Sequence, residues 1–444
     1  MTFSEDNHPW LAAMQEPGPR QVLLEANPHM RGFADALGAH RFRLLPHPFT
    51  IAADDHARLA DAARVLVRAQ TTILRHLLAT LTRENLHAMF GLPASAVIDW
   101  AELAAEERII ARLDVLPTTE GYRFCEMNID SSISGFEIHD CVDVLCARLG
   151  WSLLEGTASP QRDIAALIGR IARDRASERV VICDWDSRVG IGYFGFDLLR
   201  GHIVDAVPEL DVQLVHHGDY RAEWLREGDR TLVYRGFMHA DVDDPAFVER
   251  LVGSGATVVN LFDSEIRTHK AWFAMFWDER YRRLLDPATL ETIGTFVPRT
   301  VRMTPGNQAD LIARREELVF KLARSSGGRN VVVGREHTAA EITARLRGTG
   351  PLDWVAQRFV ETSKVVLARD IGSEPRPHHV VLGIYLVDGA ASGLLLRASE
   401  TSTVVNVSGT AAAGWVVPAT AAARQRHLDE LRALGAATPV GGRR

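Results

Sequence analysis

Arg112-Leu-Asp114, then Pro117-Thr-Thr-Glu-Gly121, then Tyr122-Arg-Phe-Cys-Glu126-Met-Asn128-Ile-Asp130: two short runs flank a Pro/Gly turn that predicts an antiparallel hairpin. Side chains alternate along a strand, so Arg112 and Asp114 share one face of the first strand. Glu126, Asn128 and Asp130 share one face of the second. In register, their carboxylate and amide oxygens converge. Such oxygens suit a hard divalent cation, and Mg²⁺ takes one or two protein carboxylates while phosphates and water complete its shell. The adjacent arginine points to an anionic substrate. The alternative for this stretch is an ordinary hairpin with a solvated polar face.

At 444 residues the chain exceeds a single core and predicts two or three domains. Apolar residues make up 46% and charged residues 24%, which excludes collagen-like, disordered and membrane classes for the whole. The formal net charge of -7 gives no general attraction to nucleic acid or anionic lipid, so any phosphate site must be a local concentration of base. The cysteines, Cys125, Cys141, Cys146 and Cys183, lack zinc-site or disulfide spacing and read as buried thiols. The first residues lack a basic start with an apolar run, and no run reaches the ~20 residues that span a bilayer. The expectation is a cytoplasmic protein with no nucleic-acid or membrane partner.

Prolines 17, 19, 28, 46 and 48 predict an irregular arm before Thr50. Residues 54–86 carry apolar side chains at helical spacing, for one long helix or two short ones. A short helix is expected over Trp100–Ala111, and another over Phe136–Leu149 after the capping turn Ser131-Ser-Ile-Ser-Gly135. From Glu178 to Asp263, four apolar runs alternate with helix-like segments, which implies a parallel sheet. Gly190-Ile-Gly192-Tyr-Phe-Gly195 has dinucleotide-fingerprint spacing. Its glycines follow the strand by several residues, however, and no acidic residue ends a second strand at the expected distance.

Ser264–Leu285 reads as one helix carrying Lys270. Glu317–Ala323 is a strand with Lys321 embedded, followed by Arg324-Ser325-Ser326-Gly327-Gly328-Arg-Asn330 and a second run, Val331–Val333. A lysine strand, a Ser/Gly turn and a return strand form a flap whose N–H groups can close over phosphates. Trp354-Val-Ala-Gln357 is a further strand, and Val380–Leu386 with Ala391–Arg397 is a hairpin through Asp388-Gly389. Ser399–Val417 reads as a loop, Thr420–Leu434 as a helix and Gly435–Arg444 as a disordered tail.

Together these ordered motifs resemble the ATP-grasp ligases, and more closely the synthetase part of glutathionylspermidine synthetase, from about Arg112 to Val417. The resemblance implies an α/β fold: a circularly permuted ATP-grasp with an inserted parallel-sheet, Rossmann-like subdomain and an N-terminal helical region. The division it suggests is 1–100 (N-terminal arm and helices), 101–160 (metal hairpin and helix), 161–265 (Rossmann-like), 266–418 (nucleotide region with flap) and 419–444 (C-terminal helix and tail). It implies Asp114, Glu126 and Asn128 as Mg²⁺ ligands and Arg112 at the transferred phosphoryl group and substrate carboxylate. Lys270, Lys321, the Ser325–Gly328 turn and Gln357 fall at its ATP positions, and Arg397 at its late arginine.

The sequence departs from the family where Lys-Pro becomes Lys321-Leu and Arg-Glu-Asp becomes Arg397-Ala-Ser-Glu400. The implied reaction joins a carboxylic acid to an amine of amino acid, peptide or polyamine type, using ATP and Mg²⁺; a homodimer is one assembly compatible with it. Rival readings are a nicotinamide-dependent oxidoreductase using Gly190–Gly195 and a non-catalytic nucleotide-binding scaffold.

Overall fold

The structure is a computed structural model that describes residues 3–36, 43–92, 109–131, 133–185, 195–238, 241–262, 264–325, 330–347, 353–405 and 411–437. The expected N-terminal arm is instead helical, over Phe3–Met14 and Pro17–Ala36. Pro17 and Pro19 sit in a first turn, where a missing N–H costs nothing. Pro28 lies mid-helix, and burial of Val22, Leu23, Ala26 and Met30 along one stripe outweighs its lost hydrogen bond. Strands β1 (Arg43–Leu44) and β2 (Phe49–Ala52) lead into one long helix, Ala53–Thr80, and a short one, Arg83–Phe90.

The decisive hairpin forms as β3 (Ile110–Thr118) and β4 (Gly121–Ile129). The helix expected over 100–111 lies largely outside the described residues, and Ile110 and Ala111 are already strand. The helix Glu137–Leu149 follows, as the capping turn predicts. Strands β5 (Arg179–Asp184), β6 (Asp211–His216), β7 (Thr231–Arg235) and β8 (Thr257–Val259) form an all-parallel sheet in the order β6-β5-β7-β8.

The segment after Ser264 is not one helix. It breaks into Ser264–Thr268, Ala271–Met275 and Glu279–Arg282. The first break has a local cause: Lys270 N–H leaves the helical ladder for Ala323 O at 3.0 Å, and His269 Nδ1 accepts from Ala271 N–H. Asp278 caps the third piece by accepting from Arg280 N–H.

Strands β9 (Thr300–Arg302), β10 (Leu318–Leu322), β11 (Val331–Val333) and β12 (Trp354–Arg358) make a second, antiparallel four-stranded sheet ordered β11-β10-β12-β9. The chain closes with β13 (Val365–Leu367), β14 (Arg376–Val387), β15 (Ala390–Ser399) and β16 (Ala412–Ala419), then the helix Ala421–Ala437. Asp388 and Gly389 both adopt positive φ in the β14–β15 turn, as an Asp-Gly hairpin requires.

The expected loop before Val417 is strand from Ala412; residues 406–410 lie outside the described set. Its small residues admit neighbours closely, since a Cβ on Gly414 would meet Leu45 at 3.0 Å. The predicted tail is helical to Ala437. The central sheet has eight strands, with a path β1-β16-β15-β14-β3-β4 onto which β13 and β2 pair at β14 and β16. Its apolar face packs on the long helix Ala53–Thr80, through residues such as Leu113, Leu382, Leu396 and Leu66.

Candidate active site

The β3–β4 register decides which side chains meet. Arg112 lies opposite Asn128 and Asp114 opposite Glu126, so the expected convergence of the two strands forms. The register then slips, leaving Cys125 as the extra residue of a bulge between Glu126 and Phe124. Bulges re-aim neighbouring side chains, and here Cys125 and Glu126 both line the cleft while Phe124 is buried in the core. Asp130 does not join them; it turns to a buried ion pair with Arg235 at 2.6 Å.

The polar face of β3, β4 and β15 looks across a cleft at β10 and β12. Its empty volume, counted to the open mouth, is about 1070 Å³. Arg112, Asp114, Glu126, Asn128 and Arg397 line one side. Lys270, Lys321 and Gln357 line the other. These eight residues are the predicted site positions that fall among the described residues, apart from Ser325. Its backbone oxygen accepts from Lys270 Nζ, which ties the start of the flap turn to the cleft. Ser326, Gly327 and Gly328 lie outside the described residues, as do positions 190–194 of the glycine loop.

Charges in the cleft neutralise one another. Asp114 accepts from Arg112 Nε at 2.9 Å, and Arg397 Nη2 lies 2.7 Å from its other oxygen. Burial pushes the Asp114 carboxyl up, but the two guanidiniums outweigh it and hold it below the usual range. Arg397 Nη2 is thus held by Asp114, while its Nε is buried without an acceptor among the described residues. That guanidinium is poised for an anion that can meet its fork. Lys270 Nζ pairs with Glu126 at 2.8 Å. Lys321 Nζ donates to Cys125 O at 2.9 Å and to Gln357 Oε1 at 2.7 Å, and burial lowers its pKa. Polyphosphate in the cleft would compete for these cations and return the carboxylates to a metal.

The donor set fits such a metal. Two carboxylates and an amide lie on facing strands; Asn128 Nδ2 donates to Asp114 Oδ2 at 3.3 Å, which leaves carboxylate oxygens and Asn128 Oδ1 as the hard donors, and Mg²⁺ shared with phosphates needs few protein ligands. Among the described residues no group of three or more His, Cys, Asp and Glu side chains is arranged to hold an ion by itself.

Several contributors carry no sequence signal of their own. Gly383, opposite Asp114 in β14, makes room for Arg112, because a Cβ there would lie 2.6 Å from Arg112 Cδ. Ser134 O accepts from both Arg112 Nη1 and Tyr385 Oη at 2.9 Å, fixing the arginine from behind. Thr300 Oγ1 accepts from Gln357 Nε2 at 3.2 Å, which aims the amide oxygen at Lys321. An apolar lobe, including Leu116, Val319, Val331, Phe359 and Val381, completes the cleft.

Glu137 lies behind this layer, buried, with Gly135 N–H donating to both its oxygens at 3.0 and 3.2 Å. Burial pushes its carboxyl from 4.5 up to about 7, with those N–H bonds opposing. Its stabilisation is complete below pH 4.5, where both folded and unfolded forms are protonated, and is lost as pH rises to about 7. At about 1.4 kcal/mol per pH unit, the window holds about 3 kcal/mol. Urea denaturation of Glu137→Gln should lack that decline between pH 5 and 8; an unchanged slope would remove Glu137 as its source.

No family profile and no curated protein matches the sequence. Among solved structures, the fold is similar to that of a glutathione synthetase-like effector from Globodera pallida in its apo form. The TM-score is 0.59 at 11% identity, over 92% of this chain and 99% of that one. At that identity the likeness is one of fold, a mixed α/β architecture.

Proposed function

We propose that the chain is an ATP-dependent carboxylate–amine ligase built on a circularly permuted ATP-grasp fold. One observation carries this reading: oxygen-bearing side chains from β3 and β4, two lysines, and the Asp114-paired Arg397 line a single cleft. They come from five separated stretches of sequence. The oxygen-bearing hairpin precedes the lysine-bearing sheet along the chain, which is the order behind the permuted assignment. The likeness to a glutathione synthetase-like fold is consistent with it.

In this reading Lys270 and Lys321 bind the polyphosphate, and Gln357 orients Lys321 from the adenine side. Asp114, Glu126 and Asn128 would hold Mg²⁺, which supplies charge neutralisation on the phosphates when bound. A substrate carboxylate oxygen attacks the γ-phosphorus, the bond to the bridging oxygen breaks, and ADP leaves. The amine nitrogen then attacks the acyl carbon, phosphate departs with the acyl bond's electrons, and the nitrogen loses a proton. Arg112 and Arg397 steady the charge on the transferring group and on the tetrahedral intermediate, since phosphoryl transfer needs chiefly positioning and electrostatics.

The test follows ADP release from protein, Mg-ATP and panels of carboxylic acids and amines. The expected result is ADP formation that requires both an acid and Mg²⁺, with an amide product by mass spectrometry. Thermal stabilisation by Mg-ATP with no acid-dependent turnover across the panel would instead favour a nucleotide-binding scaffold.

A further inference from the structure

A second pocket, with an empty volume of about 960 Å³ counted to its open mouth, lies beside the first and shares no lining residue with it. Helix Ala271–Met275 forms one wall, starting one residue after Lys270. The edge strand β9 forms the other through Thr300, Val301 and Arg302. The hydrogen bond from Gln357 to Thr300 closes the partition, since Gln357 faces the first cleft and Thr300 the second.

The lining is of two kinds. Met89, Met275, Trp277 and Tyr281 give flat and deformable apolar surface. Among the lining residues Arg280, Arg299 and Arg302 stand against one carboxylate, Asp278, which Arg280 already holds at 2.6 Å; Asp353, outside the lining, also acts on Arg302. Arg302 donates to Met89 O at 2.7 Å. Arg299 has no carboxylate or hydrogen-bond acceptor among the described residues, and its guanidinium lies 5.9 Å from the centre of the Trp277 ring. A chain with net charge -7 thus keeps an excess of positive charge around one aromatic-walled cavity. Small-molecule sites combine apolar walls with a few convergent polar groups in this way.

We propose that this cavity binds a small organic anion with a flat apolar body, its anionic group on Arg299 and Arg302 and its body against Trp277, Tyr281 and the methionines. Guanidinium and aromatic ring side by side suit a carboxylate or sulfonate attached to an aromatic or branched skeleton; a bare inorganic anion would leave the apolar wall wet. The inference stands apart from the ligase reading, because no residue of the first cleft enters it.

The probe is anilinonaphthalene sulfonate, titrated into the full chain and followed by fluorescence. Saturable binding is expected in the unaltered protein. Arg299→Glu should weaken it about tenfold or more, the scale of one lost charge-assisted hydrogen bond. Ala274→Trp, which fills the cavity from its helical wall, should weaken it comparably, whereas Arg397→Ala in the first cleft should leave it unchanged. Arg299 is exposed, so its variant is expected to fold even if Ala274→Trp does not. No saturable binding, binding equally tight in Arg299→Glu, or binding lost in Arg397→Ala would each overturn the proposal.

Discussion

Glu126→Gln is expected to cut acid-dependent ADP release by about 10²–10³-fold, the cost of removing one electrostatic contributor to a developing charge, while leaving the melting temperature near that of the unaltered chain. The reasoning rests on what Glu126 touches. Its side chain is 19% exposed and pairs with one cation, Lys270, at 2.8 Å. Glutamine keeps an oxygen for that lysine and keeps the volume, so packing is preserved while the formal charge of the proposed metal ligand is lost.

Asp114 is a poorer test. Its side chain is 3% exposed and lies between Arg112 and Arg397, so alanine there leaves two part-buried guanidiniums facing each other, and folding fails for reasons unrelated to chemistry. Lys321→Met is the complement from the opposite sheet. It removes the charge that Cys125 O and Gln357 Oε1 hold in place and should lose turnover to a similar degree. Turnover in Glu126→Gln within a few-fold of the unaltered enzyme would remove this carboxylate from the mechanism, and the proposed metal site with it.

Much of this cleft is legible in the sequence because a strand's period of two is robust. Arg112, Asp114, Glu126 and Asn128 need only alternate and pair, and the observed hairpin pairs them, although Pro117 and Gly121 of the expected turn are themselves strand residues. Lys321 and Gln357 follow by the same rule, two residues out of direct register on adjacent antiparallel strands.

What the sequence concealed arises from tertiary contacts that outweigh local preference. The N-terminal helices form through prolines because their apolar stripe is covered by later elements; Trp10, for example, stacks on Trp151 at 5.9 Å. The helix expected through Lys270 is interrupted because Ala323, more than fifty residues later, takes the Lys270 N–H. The bulge at Cys125 belongs to the pairing of β3 with β4, and Gly383 matters only once Arg112 lies across it. No window of neighbouring residues contains these facts.

Arg235→Ala should produce the largest loss of stability, about 3–5 kcal/mol, the cost of removing one partner from a buried ion pair. Arg235 ends β7, and its side chain is 0% exposed. Its Nη2 donates to Asp130 Oδ2 at 2.6 Å and to Leu261 O at 3.1 Å, its Nε to Asn260 O at 3.2 Å, and its Nη1 to Phe237 O. Asp130 follows β4 directly, so this one guanidinium fastens the parallel sheet to the strand carrying Glu126 and Asn128. Ser131 reinforces the junction by donating its hydroxyl to Arg235 O, and Tyr234 Oη donates to Ser131 O at 2.7 Å.

Alanine at 235 would strand the Asp130 carboxylate, whose side chain is 2% exposed, without its guanidinium and leave three carbonyls without that donor. Asp130→Asn combined with Arg235→Met removes both charges and should recover a substantial part of the loss, because an uncharged pair of similar size avoids desolvating ions. Urea denaturation of Asp130→Asn, Arg235→Met and the double variant supplies the coupling energy. If the double variant is no more stable than Arg235→Met, the carbonyl bonds rather than the ion pair hold the two sheets together. A loss below about 1 kcal/mol in Arg235→Ala, the range of an exposed pair, would mean that the guanidinium does not fasten them at all.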